Sequence, residues 1–317
     1  MHEMKDSYTR ISLVRLCRLL GVTRQAYYQH FWHQECVSVA ESLVLAQVSQ
    51  IRKHHRCMGG RKLYEILHPF LLDHQIKMGR DALFNLLADN GLLIKRRRRH
   101  TVTTFSNHWL RKWPNLIRDK KLSNVNELWV SDITYWKIGS RHAYISFITD
   151  AYSHKIVGYH VAETLESVET IKALKMALKG VTGRNLEQLI HHSDRGVQYC
   201  AADYVKLLQD NKIQISMTEN GDPLENAIAE RINGILKNEY LKYFHVVNIK
   251  EAKKQLETAV ALYNDQRPHF SIGMLTPETV HQNNLKTEKL WKNYYDKNSK
   301  IVKLIQDTNQ PVNSLQD

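Results

Sequence analysis

The chain is expected to be an α/β protein: a mixed sheet with helices on both faces, preceded by small all-helical basic modules. Three observations predict this. Apolar residues recur with helical spacing up to about residue 95, and from Asn126 onward the pattern becomes strand-like. Beyond that point three strands come first, and helices then alternate with strands, which suits a mixed sheet. The charge is also divided unevenly. The net charge is +13; residues 1–125 hold 22 Lys and Arg against 9 Asp and Glu, whereas residues 126–317 hold 23 of each.

Residues 1–40 form the first expected module. The stretch ISLVRLCRLLGVTRQAYYQHF, residues 11–31, has an apolar-periodic helix, a break at Gly21, and Thr23 as the N-cap of a second helix. This is helix-turn-helix grammar. Arg24 and Gln25 open its second helix, where side chains reach base edges, although two helices joined by glycine also occur in proteins that never touch DNA.

Residues 41–100 form a second, more basic helical module. A helix is expected from about Ser42 to His54, then a Gly59-Gly60 break, RKLYEILHPFL, and GRDALFNLLADNGLL ending at Gly91. A basic run follows. Arg61, Lys62, Arg80, Arg96, Arg97, Arg98 and Arg99 are the candidate phosphate contacts, and the charge excess is the footprint of a polyanion-binding module. A merely solvated basic face is the alternative. Residues 101–125, with Trp109, Trp113 and Pro114, read as an extended linker whose aromatics pack on the next domain.

The expected core spans 126–245. LWVSDITYWKI, RHAYISFITD and KIVGYHVA read as a three-stranded meander. A helix at 167–179, a strand at 188–192, a helix at 202–210, a strand at 212–217 and a long helix at 223–241 follow; Asp222 caps the last and Pro223 occupies its first turn. The order βββαβαβα is that of the ribonuclease-H-like fold. Residues 246–282, with a helix at 249–264, read as an extension of the core, and 283–317 as a polar tail.

Three acids stand out by placement. Asp132 lies inside an apolar strand between Val130 and Ile133, where an uncompensated carboxylate costs several kcal/mol. Asp194 ends a strand in IHHSDRG, at the kind of strand-to-loop junction that holds ligands in open α/β sheets. Glu230 lies on the long helix. If the inferred fold brings them together, three carboxylates repel unless cations sit between them, and hard oxygen donors suit two Mg²⁺ or Mn²⁺ ions. Such ions serve in-line phosphoryl transfer.

Other classes fit less well. Cys17, Cys36, Cys57 and Cys200 form no C-x-x-C pair, which argues against a disulfide framework or a thiolate zinc site. No apolar run reaches the roughly 18 residues of a membrane helix, and the start MHEMKDSYTRISL is no signal peptide. A cytoplasmic, nucleoid-associated protein without membrane partners is expected.

The stretches WVSDITY, HHSDRGVQY and GDPLENAIAERINGILKNEY resemble the DDE core of retroviral-integrase-like transposases from bacterial insertion sequences, with 35 residues between Asp194 and Glu230. The chain is most similar to the downstream-frame protein of two-frame elements: YNDQRPHFSIGMLTP matches that family's ending, and HHRCMGGRKLYEIL its upstream module. Cys57-Met58 departs from the usual residues there. The likeness covers about residues 10–280.

The resemblance implies an integrase-type catalytic core whose metal ligands are Asp132, Asp194 and Glu230. It implies DNA partners, both element ends and target, an upstream-frame protein of the same element, and a dimer or larger assembly that joins two ends. Asn226 and Lys237, at i−4 and i+7 from Glu230, share its helix face. Asn226 either supports the carboxylate or is ordinary helix surface, and Lys237 is expected to hold a phosphate. His192, Gln198 and Tyr199 also match the family, as do Arg267 and His269, which act either as braces or as DNA contacts beside Pro268. The expected activity is 3′-end nicking followed by strand transfer. A catalytically silent domesticated DNA-binding protein and a nuclease of the same fold are the alternatives.

Overall fold

A computed structural model describes residues 12–94, 110–118, 120–219 and 226–287. The chain folds into two compact units. The first gathers the N-terminal helices with residues 138–141 and 233–259, and the second holds the remainder of the sheet and the chain beyond 260.

The N-terminal helices are α1 (Leu13–Leu19), α2 (Arg24–His54), α3 (Gly60–Asp73) and α4 (Arg80–Asp89). Thr23 caps α2 as expected, its Oγ1 accepting from the Ala26 N–H at 3.0 Å. The expected boundary at 40 falls inside α2, which runs unbroken for 31 residues. No Gly or Pro interrupts that stretch, and Val44 and Val48, one turn apart, bury against Leu63, Leu67, Leu83 and Leu87. Gly60 serves the same packing, since a Cβ there would stand 2.8 Å from the Phe84 ring.

The sheet has five strands, β1 (Leu128–Ile138), β2 (Arg141–Asp150), β3 (Ile156–Ala162), β4 (Ile190–Ser193) and β5 (Gln214–Met217), in the order β3-β2-β1-β4-β5. β2 and β3 pair antiparallel, whereas β1, β4 and β5 run parallel. This mixed sheet with its helices is the ribonuclease-H-like architecture the element order predicts. Between strands lie α5 (Ser167–Lys179), the single turn α6 (Val197–Cys200) and α7 (Ala202–Asp210). A side chain at Gly158 of β3 would collide with the Ala173 carbonyl, so glycine is what lets α5 lie flat on the sheet. Trp113 packs against the core formed on that face by Trp129, Leu174, Tyr204, Leu208 and Met217, as the linker aromatics predict. Trp109 lies outside the described residues.

The described part of the expected long helix is irregular: α8 (Ala227–Ile235) passes into a π-turn, Leu236–Tyr240, and a 3-10 turn, Leu241–Tyr243. Its expected caps, Asp222 and Pro223, lie outside the described residues. α9 (Ile249–Ala261) and α10 (Pro277–Asn283) complete the chain described. Residues 233–259 group with the helical unit instead of forming part of the core and its extension. The reason is specific bonding: His55 Nδ1 meets the Tyr240 hydroxyl at 3.1 Å, Cys57 Sγ meets the Tyr243 hydroxyl at 2.8 Å, and Arg56 lies over the Tyr243 ring. No described helix is long and apolar enough to cross a membrane.

Candidate active site

The site is built on the parallel pair β1 and β4. Their register matches Leu128 with Ile190 and Ser131 with Ser193, so Asp132, within β1, and Asp194, the residue that follows β4, come next in step. Neighbouring strands lie about 4.8 Å apart. Alternation along β1 sends Trp129 into the α5 and α7 core, and sends Leu128 and Val130 to the opposite face, against Ala229 of α8. Asp132 has the parity of that second face.

Local hydrogen bonds hold each aspartate. The Ile133 N–H donates to Asp132 Oδ1 at 2.8 Å, and the Gly196 N–H donates to Asp194 Oδ1 at 3.0 Å. Space at Gly196 is tight: a Cβ there would stand 3.0 Å from Asp194 Oδ1 and 3.2 Å from Gln198 Oε1. Gln198 itself ties the loop down by donating from Nε2 to the Leu165 carbonyl at 2.9 Å.

Both aspartates act on one buried phenol. Burial first, then Tyr204, Asp194 and Asp132, push the Tyr199 hydroxyl well above its ordinary range, so it stays a neutral phenol. Its oxygen is buried without a hydrogen-bond partner in the structure. Beside it His191 is fully buried, and burial, with His192 second, pulls its pKa down to about 3. Its Nε2 meets Ser131 Oγ at 2.7 Å and the Tyr204 hydroxyl at 3.0 Å. The strand is therefore backed by a compact neutral polar network. A second histidine is held similarly: the Leu116 N–H donates to Ser216 Oγ at 2.9 Å, and that hydroxyl meets His192 Nδ1 at 2.8 Å.

Glu230 comes from the start of α8 and is exposed. Asn226, 6% exposed, donates from Nδ2 to the Ser131 carbonyl at 3.0 Å, and Ala229 packs on Leu128, Val130 and Ile190. The helix bearing Glu230 is thus tied to the residue preceding Asp132. Asn226 Oδ1 is buried without a hydrogen-bond partner in the structure. Among the described residues no three His, Cys, Asp or Glu side chains are gathered closely enough to hold an ion. The donor set of Asp132, Asp194 and Glu230 is nonetheless all carboxylate oxygen, the chemistry that fits Mg²⁺ or Mn²⁺.

The other candidates are spread over the molecule. Arg24, Gln25 and Arg61 are exposed on the helical unit and Lys62 is half-buried. Arg80 is exposed and pairs with Asp81 at 3.0 Å. Lys237 belongs to that unit as well, on the π-turn. Arg96, Arg97, Arg98 and Arg99 lie outside the described residues. Arg267 is 4% exposed, and its guanidinium meets His269 Nε2 at 2.9 Å, a geometry that serves bracing. His269 stacks on His154. Next to them Asn264 donates to the Ile156 carbonyl and accepts from the Ile156 N–H, both at 3.0 Å, closing the start of edge strand β3.

Sequence reasoning missed Ser131, His191, Tyr204 and Asn264. A signal existed for Ser131, a polar residue in an apolar strand, and for Asn264 within YNDQRPH. For Tyr204, on an ordinary amphipathic helix, there was none.

Comparison with known proteins agrees with this frame. Integrase core domain models match residues 123–223 and 211–277. The chain is 35% identical over 276 residues to an insertion element IS600 uncharacterized 31 kDa protein of Shigella sonnei, covering 84% of this chain and 99% of the relative. It is 29% identical over 225 residues to the transposase for insertion sequence element IS629 of the same organism, covering 71% and 74%. Among solved structures, the HTLV-2 integrase catalytic core domain aligns with 50% of this chain and 97% of its own length at 19% identity and a TM-score of 0.38.

Proposed function

The chain belongs to the insertion-sequence transposases that carry an integrase core domain, and from that premise we propose that it nicks and joins DNA ends at Asp132, Asp194 and Glu230. One observation carries this reading: the β1–β4 register sets Asp132 beside Asp194 while Asn226 ties the Glu230 helix to Ser131.

The first step is hydrolysis: a water oxygen bonds to phosphorus, the bond from phosphorus to the 3′-oxygen breaks, and the element end is left with a free 3′-hydroxyl. In the second step that hydroxyl attacks a target phosphodiester, forming one phosphorus–oxygen bond as another breaks. Asp132, Asp194 and Glu230 would hold a pair of Mg²⁺ or Mn²⁺ ions, whose chemistry would be to activate an attacking oxygen and stabilise a leaving one. Tyr199 and His191 stay neutral beneath them, so no further charge competes with the carboxylates. Asn226 keeps the Glu230 helix in register with β1.

DNA is the partner that the basic helical unit suits. Arg61, Lys62 and Arg80 meet backbone phosphates, Arg24 and Gln25 lie at the start of a helix suited to a groove, Lys237 holds a phosphate of the element end, and Arg96 to Arg99 add to the basic run. An upstream-frame protein of the same element assists end recognition, and two ends meet in a dimeric or larger assembly.

Strand transfer tests the proposal. Purified protein, with and without the upstream-frame protein, is incubated with linear DNA carrying the flanking element's ends in Mg²⁺, Mn²⁺ or chelator. Joined products that disappear in chelator and in Glu230→Gln support it. Binding without cutting or joining in any of these conditions refutes it.

A further inference from the structure

The side-chain amide of Asn226 is held at the rung of the sheet that both aspartates follow. Its Nδ2 donates to the Ser131 carbonyl at 3.0 Å. Ser131 pairs with Ser193, and Asp132 and Asp194 come directly after them. Glu230 lies four positions beyond Asn226, one turn along the same helix and on the same face. One side chain is thus anchored beside both aspartate positions and shares a helix face with the glutamate.

The orientation of that amide is fixed by its partner. Turning it over would set Oδ1 against the Ser131 carbonyl, oxygen against oxygen, so Nδ2 is the atom that faces the strand. Within the amide the two atoms are about 2.3 Å apart, which keeps Oδ1 within about 5 Å of that carbonyl oxygen. An asparagine immediately before a helix ordinarily spends its oxygen on the first free N–H groups. Asn226 Oδ1 accepts from none of them and from no other donor among the described residues, although Asn226 is only 6% exposed. A buried acceptor in that state carries its desolvation cost without compensation.

We propose that Asn226 Oδ1 is a fourth oxygen of the divalent-cation site formed by Asp132, Asp194 and Glu230. The inference rests on the catalytic reading above and adds a ligand to it. Charge favours a cation, since carboxylates follow on both strands and along the helix. The DNA backbone does not satisfy this atom, because phosphate oxygens are acceptors as Oδ1 is. A neutral amide oxygen also extends the hard-oxygen donor set of Mg²⁺ or Mn²⁺ without adding to the repulsion among the carboxylates.

Mn²⁺ binding to the full chain without DNA, followed by loss of the free-ion signal in electron paramagnetic resonance, tests the inference apart from catalysis. Asn226→Ala is expected to weaken binding about tenfold. Asn226→Asp is the decisive variant: it returns an oxygen but cannot donate to the Ser131 carbonyl. Its Mn²⁺ binding is expected to recover to wild-type strength or better, while its stability in urea stays below wild type. Asn226→Ala with Ala227→Asp puts the same charge on the neighbouring exposed residue and is expected to bind no better than Asn226→Ala alone. Without any substitution, the side-chain amide resonances of Asn226 in nitrogen-labelled wild type are expected to shift as Mg²⁺ is added.

Four outcomes overturn the inference: Asn226→Ala binding Mn²⁺ as well as wild type, Asn226→Asp binding no better than Asn226→Ala, Ala227→Asp restoring binding as fully as Asn226→Asp, or amide resonances unmoved by Mg²⁺. Glu230→Gln keeps the two proposals apart. If it weakens Mn²⁺ binding and Asn226→Ala does not, the three carboxylates stand and only the fourth oxygen falls. If neither weakens it, the carboxylate site falls as well.

Discussion

The N-terminal helices and the five-stranded sheet bury different kinds of side chain. The helical core is Val44, Val48, Met58, Leu63, Leu67, Leu71, Leu83, Leu86 and Leu87, and among the described residues of 12–94 only His55 is a buried polar group. The sheet buries Ser131, Thr149, Asp150, His191, His192, Ser193 and Ser216, most of them on or beside the strands carrying Asp132 and Asp194. Buried polar groups cost stability unless hydrogen-bonded. The helical unit meets that cost at few places, chiefly Arg52, whose Nη1 donates to the Leu92 carbonyl at 2.6 Å, whereas the sheet meets it along the strands that carry or flank the two carboxylates. An apolar core suits a scaffold for diffuse electrostatic contact, and a bonded polar core suits a site that must keep its geometry.

Four experiments sharpen or break this contrast. The largest effect belongs to the sheet: Glu230→Gln is expected to lower strand transfer by about 10³-fold or more while DNA retention at low salt persists. Loss of both together would mean the two units are not functionally separable.

Next comes acid stability. His191 titrates near 3 in the folded chain against about 6.5 when unfolded, so only the unfolded state takes up its proton between those values. Stability is then full above about pH 6.5 and falls by about 1.4 kcal/mol per pH unit as the pH drops towards 3. Urea melts from pH 7 to 5 check this, and His191→Gln should flatten the slope. An unchanged slope would place the acid sensitivity elsewhere.

Asn226→Ala leaves a buried strand carbonyl without its donor and is expected to cost about 1–3 kcal/mol. Strand transfer should fall further than denaturant stability alone explains, since the Glu230 helix loses its tie. A loss of stability with full activity would reduce Asn226 to packing.

The smallest effect belongs to the helical unit. Arg61→Ala with Lys62→Ala is expected to reduce the slope of log binding constant against log salt by about 2, with no change in chemistry once DNA is bound. A flat salt dependence in the wild type would remove the electrostatic role assigned to this unit.

The sequence by itself determined what is local. The three-strand meander, α5 at Ser167–Lys179 and α7 at Ala202–Asp210 follow from periodicity, and the Thr23 cap from side-chain chemistry. The placement of Asp194 at a strand end is equally local. Tertiary structure decided what depends on distant partners. Asn226 meets a carbonyl 95 positions away, Asn264 closes a strand 108 positions away, and Tyr240 joins residues 233–259 to His55, 185 positions away. Arg267 reads from the motif as either a brace or a DNA contact, and only packing shows it buried beside His269. Periodicity reports which face of an element is apolar; it carries no record of which distant surface will cover that face. Helix continuity through residue 40, the neutral network beneath Asp132 and the unit to which 233–259 belongs therefore emerge only when the chain has folded.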